Sequence, residues 1–273
     1  MRTDDLVATI DRYLDAAPRS AADEVRIGPF SVFVTRGPWG YYARPSLPVA
    51  SRFSAEEVEA VSIAQRARLQ SVAFEWLVDT APGVGPACAA AGLIVTERPL
   101  LVCDPRSVEP TTSPWAKHVK VLDASSSDLI DHRRVAIVAF SNGGTNVGHA
   151  GRTERDGVDD DPAAVAWSRS RIDTGALIAV ALDHPVDGIV GVGSAVPVDV
   201  AGDTVAELVG IAVLPSHRRR GIADAISRRL TVACADAGAE LVLLSAADTS
   251  VARIYERVGF RRAATFAEAA LPD

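Results

Sequence analysis

The stretch VLPSHRRRGIA, residues 213–223, joins the end of an apolar strand to the start of a long helix through a basic turn. The first backbone N–H groups of a helix have no partner inside it, and the helix dipole favours an anion beside them. Gly221 and Ala223 leave little bulk between backbone and ligand, and three consecutive arginines suit bidentate contacts to phosphate. These residues predict a pyrophosphate site. Taken alone, they also fit a solvated basic turn before an ordinary helix.

The segments around this stretch predict alternating strands and helices. Three apolar segments with short polar turns precede it and indicate an antiparallel meander. No Walker A or GxGxxG motif is present, which excludes the two best-known nucleotide loops. The predicted order is strand 119–123, helix 128–140, a polar loop 141–161, helix 162–174, strands 176–182, 188–198 and 205–213, helix 222–237, strand 241–245, helix 249–258 and strand 260–269.

The N-terminal part of the chain carries its own set of elements. Residues 3–16 predict an amphipathic helix, and residues 24–35 predict a strand kinked at Gly28-Pro29. Ser54 with Glu57 forms a capping box that opens another helix. Residues 104–114 are rich in Pro, Ser and Thr, as is typical of a linker. We therefore predict a smaller domain over 1–104, a linker over 105–116 and a second domain over 117–273.

Composition excludes several classes of protein. Hydrophobic residues make up 48% and charged residues 23% of the chain, which is globular rather than disordered composition. Acidic residues number 35 and basic residues 28, so the net charge of -7 disfavours a general nucleic-acid or anionic-membrane binder. Lys117 and Lys120 are the only lysines, and this arginine bias with much alanine suggests a GC-rich bacterial genome.

Cysteine usage and the N-terminal sequence predict a reduced, cytoplasmic protein. Cys88, Cys103 and Cys234 are odd in number and match no metal-binding spacing, so we expect buried thiols and no metal. Acidic residues stand where a signal peptide needs basic ones, and no apolar run is long enough for a membrane span. The oligomeric state stays open, with a homodimer as one option.

Two motifs together resemble one superfamily. Arg218-x-x-Gly221-x-Ala223 resembles the [QR]-x-x-G-x-[GA] acetyl-CoA signature of the GNAT N-acetyltransferases. The segment from Asp248 through Tyr255 to Phe260 resembles their N-x-x-A-x-x-x-Y-x-x-x-G-F block. The resemblance covers about residues 117–270 and implies a GNAT-like α/β (α+β) fold, with a mixed, mainly antiparallel sheet flanked by helices. Residues 74–85 resemble a degenerate GNAT half, which implies a tandem organisation with a smaller N-terminal GNAT-like domain.

The resemblance also implies an acetyl-CoA site. The backbone at the end of the strand before the turn would pair with the pantetheine arm, and amides of the turn would hold the pyrophosphate. Tyr255 would protonate the leaving thiolate of CoA. Asp248 replaces the usual Asn and cannot donate an amide hydrogen bond, so a role as the N-cap of its helix is the alternative. The donor-binding residues implied are Ile211, Ala212, Val213, Arg218, Arg219, Arg220, Gly221, Ile222, Ala223 and Asp248.

Glu207 is the candidate general base. Acyl transfer to an amine needs a neutral amine, and a base must remove its proton. Glu207 lies on an apolar strand, where strand alternation predicts a face shared with Val209 and Ile211. Burial there would raise its pKa toward neutrality. The alternative is a carboxylate that faces solvent at the strand end. The resemblance implies a second possible position for the base glutamate, and Leu243 occupies it here, so that position is vacant.

The acceptor is less defined than the donor. An acidic protein suits a small cationic amine, and the run of aspartates at 156 and 159–161 is either a solvated loop or a lid that attracts such a substrate. We expect direct acetyl transfer to a primary amine of a small metabolite or antibiotic. The alternatives are a peptide or protein N-acetyltransferase and a non-catalytic acyl-CoA-binding scaffold.

Overall fold

The computed structural model describes residues 3–109 and 113–272, which form two compact units. The first contains the chain up to Leu101, Ser245–Thr249 and the residues from Arg262 onward, and the second contains Val102–Leu244 and Ser250–Arg261. The helices are α1 (Thr3–Ala16), α2 (Ala55–Ala67), α3 (Val84–Ala90), α4 (Leu129–Ser141), α5 (Arg152–Asp156), α6 (Pro162–Asp173), α7 (Ile222–Asp236) and α8 (Thr249–Val258). The strands are β1 (Ala22–Ile27), β2 (Phe30–Thr35), β3 (Ala43–Pro45), β4 (Ala73–Leu77), β5 (Ile94–Cys103), β6 (Val119–Leu122), β7 (Ile178–His184), β8 (Gly188–Val200), β9 (Asp203–Val213), β10 (Ala239–Ser245) and β11 (Arg261–Ala270).

The first unit is built on the strand order β1-β2-β3-β4-β11-β5. The stretch predicted as one kinked strand over 24–35 is a hairpin, because β1 and β2 pair antiparallel across the Gly28-Pro29 turn. The capping box is present, with Ser54 accepting from the Glu57 N–H and Glu57 accepting from the Ser54 N–H. Aromatic side chains, among them Phe30, Phe74 and Trp76, fill the core between sheet and helices.

The division between the units differs from the predicted one. Strand β11 pairs antiparallel with β4 over Phe266–Ala270 and Ala73–Leu77, so the C-terminal strand belongs to the first unit. The predicted linker is not a simple connection either, because Arg228 of α7 donates to the carbonyl of Glu109 at 2.9 Å. Residues 110–112 of that linker lie outside the described residues.

The second unit has the strand order β10-β9-β8-β7-β6. Strands β7 to β9 pair antiparallel as the predicted meander, β6 adds to β7 in antiparallel orientation, and β10 adds to β9 in parallel. Helix α7 covers one face closely: a Cβ added at Gly193 of β8 would lie 2.8 Å from Leu230 of that helix. Helix α4 covers the other face, where His132 Nε2 lies 3.4 Å from Ser194 Oγ. The predicted mixed sheet flanked by helices is confirmed.

The three cysteines are buried and free, as predicted. Burial raises the pKa of each thiol to about 12, so all three stay protonated at neutral pH. None of the helices in the described part of the chain combines the length and the hydropathy that crossing a bilayer requires.

Candidate active site

Strand β9 departs from regular pairing on both of its edges. On the β8 side, Val192 pairs with Ala212 but Ser194 pairs with Val209, so two β9 residues oppose Gly193. This is a β-bulge, and Gly210 adopts the positive φ of +63° that it requires. On the β10 side, the parallel pairs end at Glu207 and Leu243. The second half of β9 is therefore not paired with β10, and its backbone can bind an extended ligand.

The basic turn has the backbone of an anion site. Arg219 and Gly221 have φ of +63° and +78°, and Gly221 is the N-cap of α7. No side chain caps this helix, and its first internal bond runs from the Ala225 N–H to the Gly221 carbonyl at 3.2 Å. A left-handed conformation raises the free energy of a residue with a Cβ, so the backbone of Arg219 is strained in the way often found at binding sites. The N–H groups of the first helical turn are thus directed toward the turn.

The side chains of Arg218 and Arg219 bind backbone carbonyls of neighbouring segments. Arg218 donates to the carbonyls of Val213, Ala139, Asn142 and Asn146 at 2.8–3.3 Å, which spans the turn, the C-terminus of α4 and the loop after it. Arg219 donates to the carbonyl of Thr145 at 3.1 Å. The guanidinium groups of both residues are committed to holding this loop. Phosphate binding at this turn would thus depend on backbone amides rather than on these two side chains.

Arg220 shapes the turn through its backbone. Its carbonyl accepts a hydrogen bond from Trp115 Nε1 at 2.9 Å. The nearest atom to a Cβ added at Gly221 would be Ser113 Oγ, at 3.7 Å. Residues 113–118 line a cavity of about 450 Å³ beside this turn. The segment before β6 therefore forms part of the surroundings of the turn.

Glu207 occupies the point where β9 and β10 separate. It pairs directly with Val196 of β8, so its side chain lies on the same face as Ser194 and on the side of α4. The carboxyl is partly buried, and desolvation raises its pKa to about 7. Such a group can accept a proton near neutral pH, as a general base must. A fully solvated strand-end carboxylate does not fit this environment.

The bulge changes the predicted face of Ile211. Regular alternation would place Ile211 beside Glu207 and Val209, but the extra residue shifts the alternation. The Ile211 Cγ1 atom lies 3.2 Å from where a Cβ at Gly193 would stand, on the α7 side. The prediction of a shared face is wrong, and the lone glycine at 210 was the sequence signal for it.

Glu207→Gln is expected to stabilise the protein at high pH. The pKa of Glu207 rises from 4.5 to about 7 on folding, so wild-type stability falls as pH rises through this window. The shift corresponds to about 3 kcal/mol at 1.36 kcal/mol per pKa unit. The neutral glutamine avoids this loss, so chemical denaturation should find the variant equal to wild type near pH 4 and more stable at pH 8.5. A pH-independent difference would contradict a buried carboxyl at this position.

Tyr255 lies on α8, the first helix after β10, and its ring packs edge-on against Phe260 with centroids 6.1 Å apart. Burial raises its pKa to about 12, so the phenol is protonated at neutral pH and can donate. Asp248 directly precedes α8, and its predicted donor contact stays a prediction. Leu243 is fully buried beside Glu207, so Glu207 is the acidic residue at this place on the strand pair.

Three of the four aspartates in the acidic run at 156 and 159–161 are ion-paired. Asp160 and Asp161 bind the guanidinium groups of Arg134 and Arg133 on α4 at 2.8 Å and 3.4 Å. Asp156 binds Arg155 at 2.7 Å. These pairs offset the charge of three carboxylates, which favours the solvated loop over a substrate-attracting lid. The predicted unstructured loop over 141–161 also contains helix α5.

Residues 174–262 match the family profile of the acetyltransferase (GNAT) domain, a range that includes the turn, Glu207 and Tyr255. A GCN5-related N-acetyltransferase from Kribbella flavida has a TM-score of 0.67 at 21% identity, over 98% of this chain and 96% of that one. Another from Sphaerobacter thermophilus has a TM-score of 0.56 at 15% identity, over 96% and 90%. A conserved Staphylococcus epidermidis protein of unknown function has a TM-score of 0.57 at 11% identity, over 91% and 93%. No curated protein matches the sequence.

Proposed function

We propose that the protein transfers the acetyl group of acetyl-CoA directly to a primary amine, because residues 174–262 match the acetyltransferase (GNAT) domain. One observation carries the proposal. A bulged strand separates from its neighbour at a carboxyl group of raised pKa, and the basic turn that follows the strand ends at a helix N-terminus without a side-chain cap. The parts needed to bind a thioester donor and to deprotonate an amine thus follow each other along one stretch of chain.

The donor is acetyl-CoA as acyl substrate, and the residues present fit it. The unpaired edge of β9 from Leu208 to Val213 offers peptide groups that can pair with the amides of the pantetheine arm as an added strand would. The backbone amides of residues 218–223 offer N–H groups to the pyrophosphate, with the α7 dipole in the favourable direction. Arg218 and Arg219 act as positioning residues, because their side chains fix the loop and the turn.

The transfer step assigns roles to two side chains. Glu207 accepts a proton from the ammonium form of the substrate, and the freed nitrogen forms a bond to the acetyl carbonyl carbon. Backbone N–H groups at the bulge polarise the thioester carbonyl. As the C–S bond breaks, the nitrogen loses its second proton to solvent and becomes a neutral amide, while the sulfur takes a proton from the Tyr255 phenol, which is later restored from solvent. A carboxyl with a pKa of about 7 and a phenol with a pKa of about 12 support this division between base and acid.

The acceptor we propose is a small cationic amine. The net charge of -7 favours encounter with cations over nucleic acid or an anionic membrane. Because Asp156, Asp160 and Asp161 are ion-paired, we expect groups near Glu207 to contribute most of this selectivity. A peptide or protein amine is the alternative acceptor within the same chemistry. An acyl-CoA-binding scaffold is the alternative outside it, and Asp248 in place of asparagine is the feature that favours it.

The experiment is a panel of amines mixed with acetyl-CoA and the full chain. Polyamines, aminoglycoside-like compounds, amino-acid derivatives and peptides with free N-termini represent the acceptor classes. Thiol release and mass spectrometry of the amine report transfer. Amine-dependent release of CoA with an acetylated product supports the proposal and names the class. Binding of acetyl-CoA without transfer to any class would favour the scaffold, and absence of donor binding would exclude both.

Tyr255→Phe is expected to lower kcat by about 10²-fold, because the variant cannot donate a proton to the leaving thiolate. Its ring contact with Phe260 is retained, so the dissociation constant of acetyl-CoA should stay within about twofold. Steady-state kinetics with an active amine and calorimetric titration of the donor separate the two quantities. Tyr42→Phe in the first unit is the matched control and should leave both unchanged. An unaltered kcat in Tyr255→Phe would remove this residue from the mechanism.

A further inference from the structure

The fold brings together three metal-ligand side chains that the sequence keeps apart. His184 ends β7, Asp187 lies in the turn to β8, and His217 ends the short 3-10 turn before Arg218. The ligand atoms of His184, Asp187 and His217 all lie within 4.8 Å of one another. The spacing of these residues in the sequence matches no metal motif. The prediction that no metal is bound was therefore made without this group.

The distances suit a tetrahedral ion. Asp187 Oδ2 lies 3.1 Å from His217 Nε2 and 3.5 Å from His184 Nδ1. A zinc ion with ligands at about 2.0–2.2 Å separates adjacent ligand atoms by roughly 3.3–3.5 Å in a tetrahedron. The two measured edges therefore need shifts of only a few tenths of an ångström to hold such an ion.

The surroundings fix the three side chains. His217 Nδ1 is 2.9 Å from Ser216 Oγ, and this contact orients the ring so that Nε2 faces the cluster. Metal-bound histidines are commonly oriented by such a hydrogen bond at the nitrogen that does not bind the metal. The turn that carries Asp187 is held by Arg155, whose Nη1 donates to the Asp187 carbonyl at 2.8 Å. The Nδ1 atom of His184 accepts 3.3 Å hydrogen bonds from the backbone N–H groups of Val186 and Asp187. An ion bound at this nitrogen would replace these two bonds.

Access and charge also fit a cation. His217 is 7% exposed and His184 16%, while the Asp187 carboxylate is 31% exposed and open to an incoming ion and a water. One carboxylate and two neutral imidazoles leave a divalent ion with a net charge of about +1. Such a charge one residue before the anion-binding turn would favour the pyrophosphate.

We propose that His184, Asp187 and His217 bind one first-row divalent ion, with zinc the best match, and water as the fourth ligand. Two imidazoles, one carboxylate and no thiolate are a ligand set suited to zinc and its neighbours rather than to calcium or magnesium. The ion links the β7–β8 turn to the residue that precedes Arg218. The site goes beyond acetyl transfer and does not depend on it. The other reading is a plain hydrogen-bonded Asp187–His217 pair.

The test uses the full chain after treatment with a chelator. Zinc is titrated by calorimetry, and cobalt(II) is titrated by its visible absorption, which is intense in four-coordinate sites. Asp187→Asn keeps the shape of the side chain and removes its charge, His184→Gln removes one imidazole, and His149→Gln is the control outside the cluster. Thermal unfolding without metal reports whether each variant is folded.

The proposal predicts one ion per chain in wild type and in His149→Gln, with at least 100-fold weaker binding in Asp187→Asn and His184→Gln. Cobalt(II) should also quench the fluorescence of Trp115, because its ring lies 5.3 Å from that of His184. Trp115→Phe should remove this quenching, while the number of ions bound per chain stays at one. Absence of stoichiometric binding to wild type would overturn the proposal and leave the hydrogen-bonded pair. Equal affinity in wild type and Asp187→Asn would overturn it as well.

Discussion

Glu207→Gln is expected to lower kcat by about 10²–10⁴-fold, the range that a positioned general base contributes. The amide cannot accept a proton, and no second carboxylate replaces it on the neighbouring strand, because Leu243 stands opposite. Steady-state kinetics with an active amine measures the effect. Glu240→Gln on the exposed part of β10 is the matched control and should retain wild-type kcat.

The pH dependence identifies the role of Glu207 more closely. Wild-type enzyme needs deprotonated Glu207 and can use the ammonium form of the substrate, so its kcat/KM should fall tenfold per pH unit below about pH 7 and stay level between pH 7 and the pKa of the amine. The variant can use only the neutral amine, so its kcat/KM should rise tenfold per pH unit up to the pKa of the amine. The ratio of wild-type to variant kcat/KM is therefore largest near pH 7 and falls toward the pKa of the amine. A constant ratio across this range, or equal kcat values, would show that Glu207 is not the base.

Gly221→Glu is expected to weaken acetyl-CoA binding by at least 100-fold. The new carboxylate would stand at the N-cap of α7, where the backbone amides otherwise meet the diphosphate, and like charges repel. The left-handed backbone at Gly221 adds a conformational cost of about 1–2 kcal/mol for a residue with a Cβ. Calorimetric titration of the donor measures the loss.

A glutamate at a second glycine serves as a control that separates the effect of the added charge at the turn from the effect of backbone strain. Gly202, in the turn between β8 and β9, also has a positive φ, at +96°, and a Cβ there would meet nothing within 4 Å. Gly202→Glu thus changes the net charge equally and strains the backbone similarly, and it should bind acetyl-CoA as wild type does. Equal losses in both variants would mean that Gly221 acts on stability rather than on the donor.

Local sequence signals predicted most of the second unit. The helix over 249–258 has the predicted bounds, and the Gly259 N–H closes it on the carbonyl of Tyr255 at 3.2 Å. The meander and α7 follow from strand alternation and from a run bounded by Gly221 and Gly238. The raised pKa of Glu207 was also foreseeable, because a carboxylate on an apolar strand is desolvated on folding.

Features that depend on distant parts of the chain could not be predicted. The pairing of β11 with β4 joins Phe266–Ala270 to Ala73–Leu77, segments more than half of the chain apart, and no periodicity encodes it. The role of Arg218 depends on four carbonyls, three of which lie on α4 and the loop after it. The cluster of His184, Asp187 and His217 likewise exists only once the β7–β8 turn meets the residues before α7. Chemistry-bearing side chains are visible in a sequence, but their partners are not.

The most direct test of the central claim is the stoichiometry of acetyl-CoA binding to the whole chain, measured by native mass spectrometry and calorimetry. The R-x-x-G-x-A turn occurs once, at residues 218–223. The account predicts one acetyl-CoA per wild-type chain, displaced by free CoA and lost in Gly221→Glu. Two molecules per chain, none, or one that persists in Gly221→Glu would contradict a single donor site at this turn.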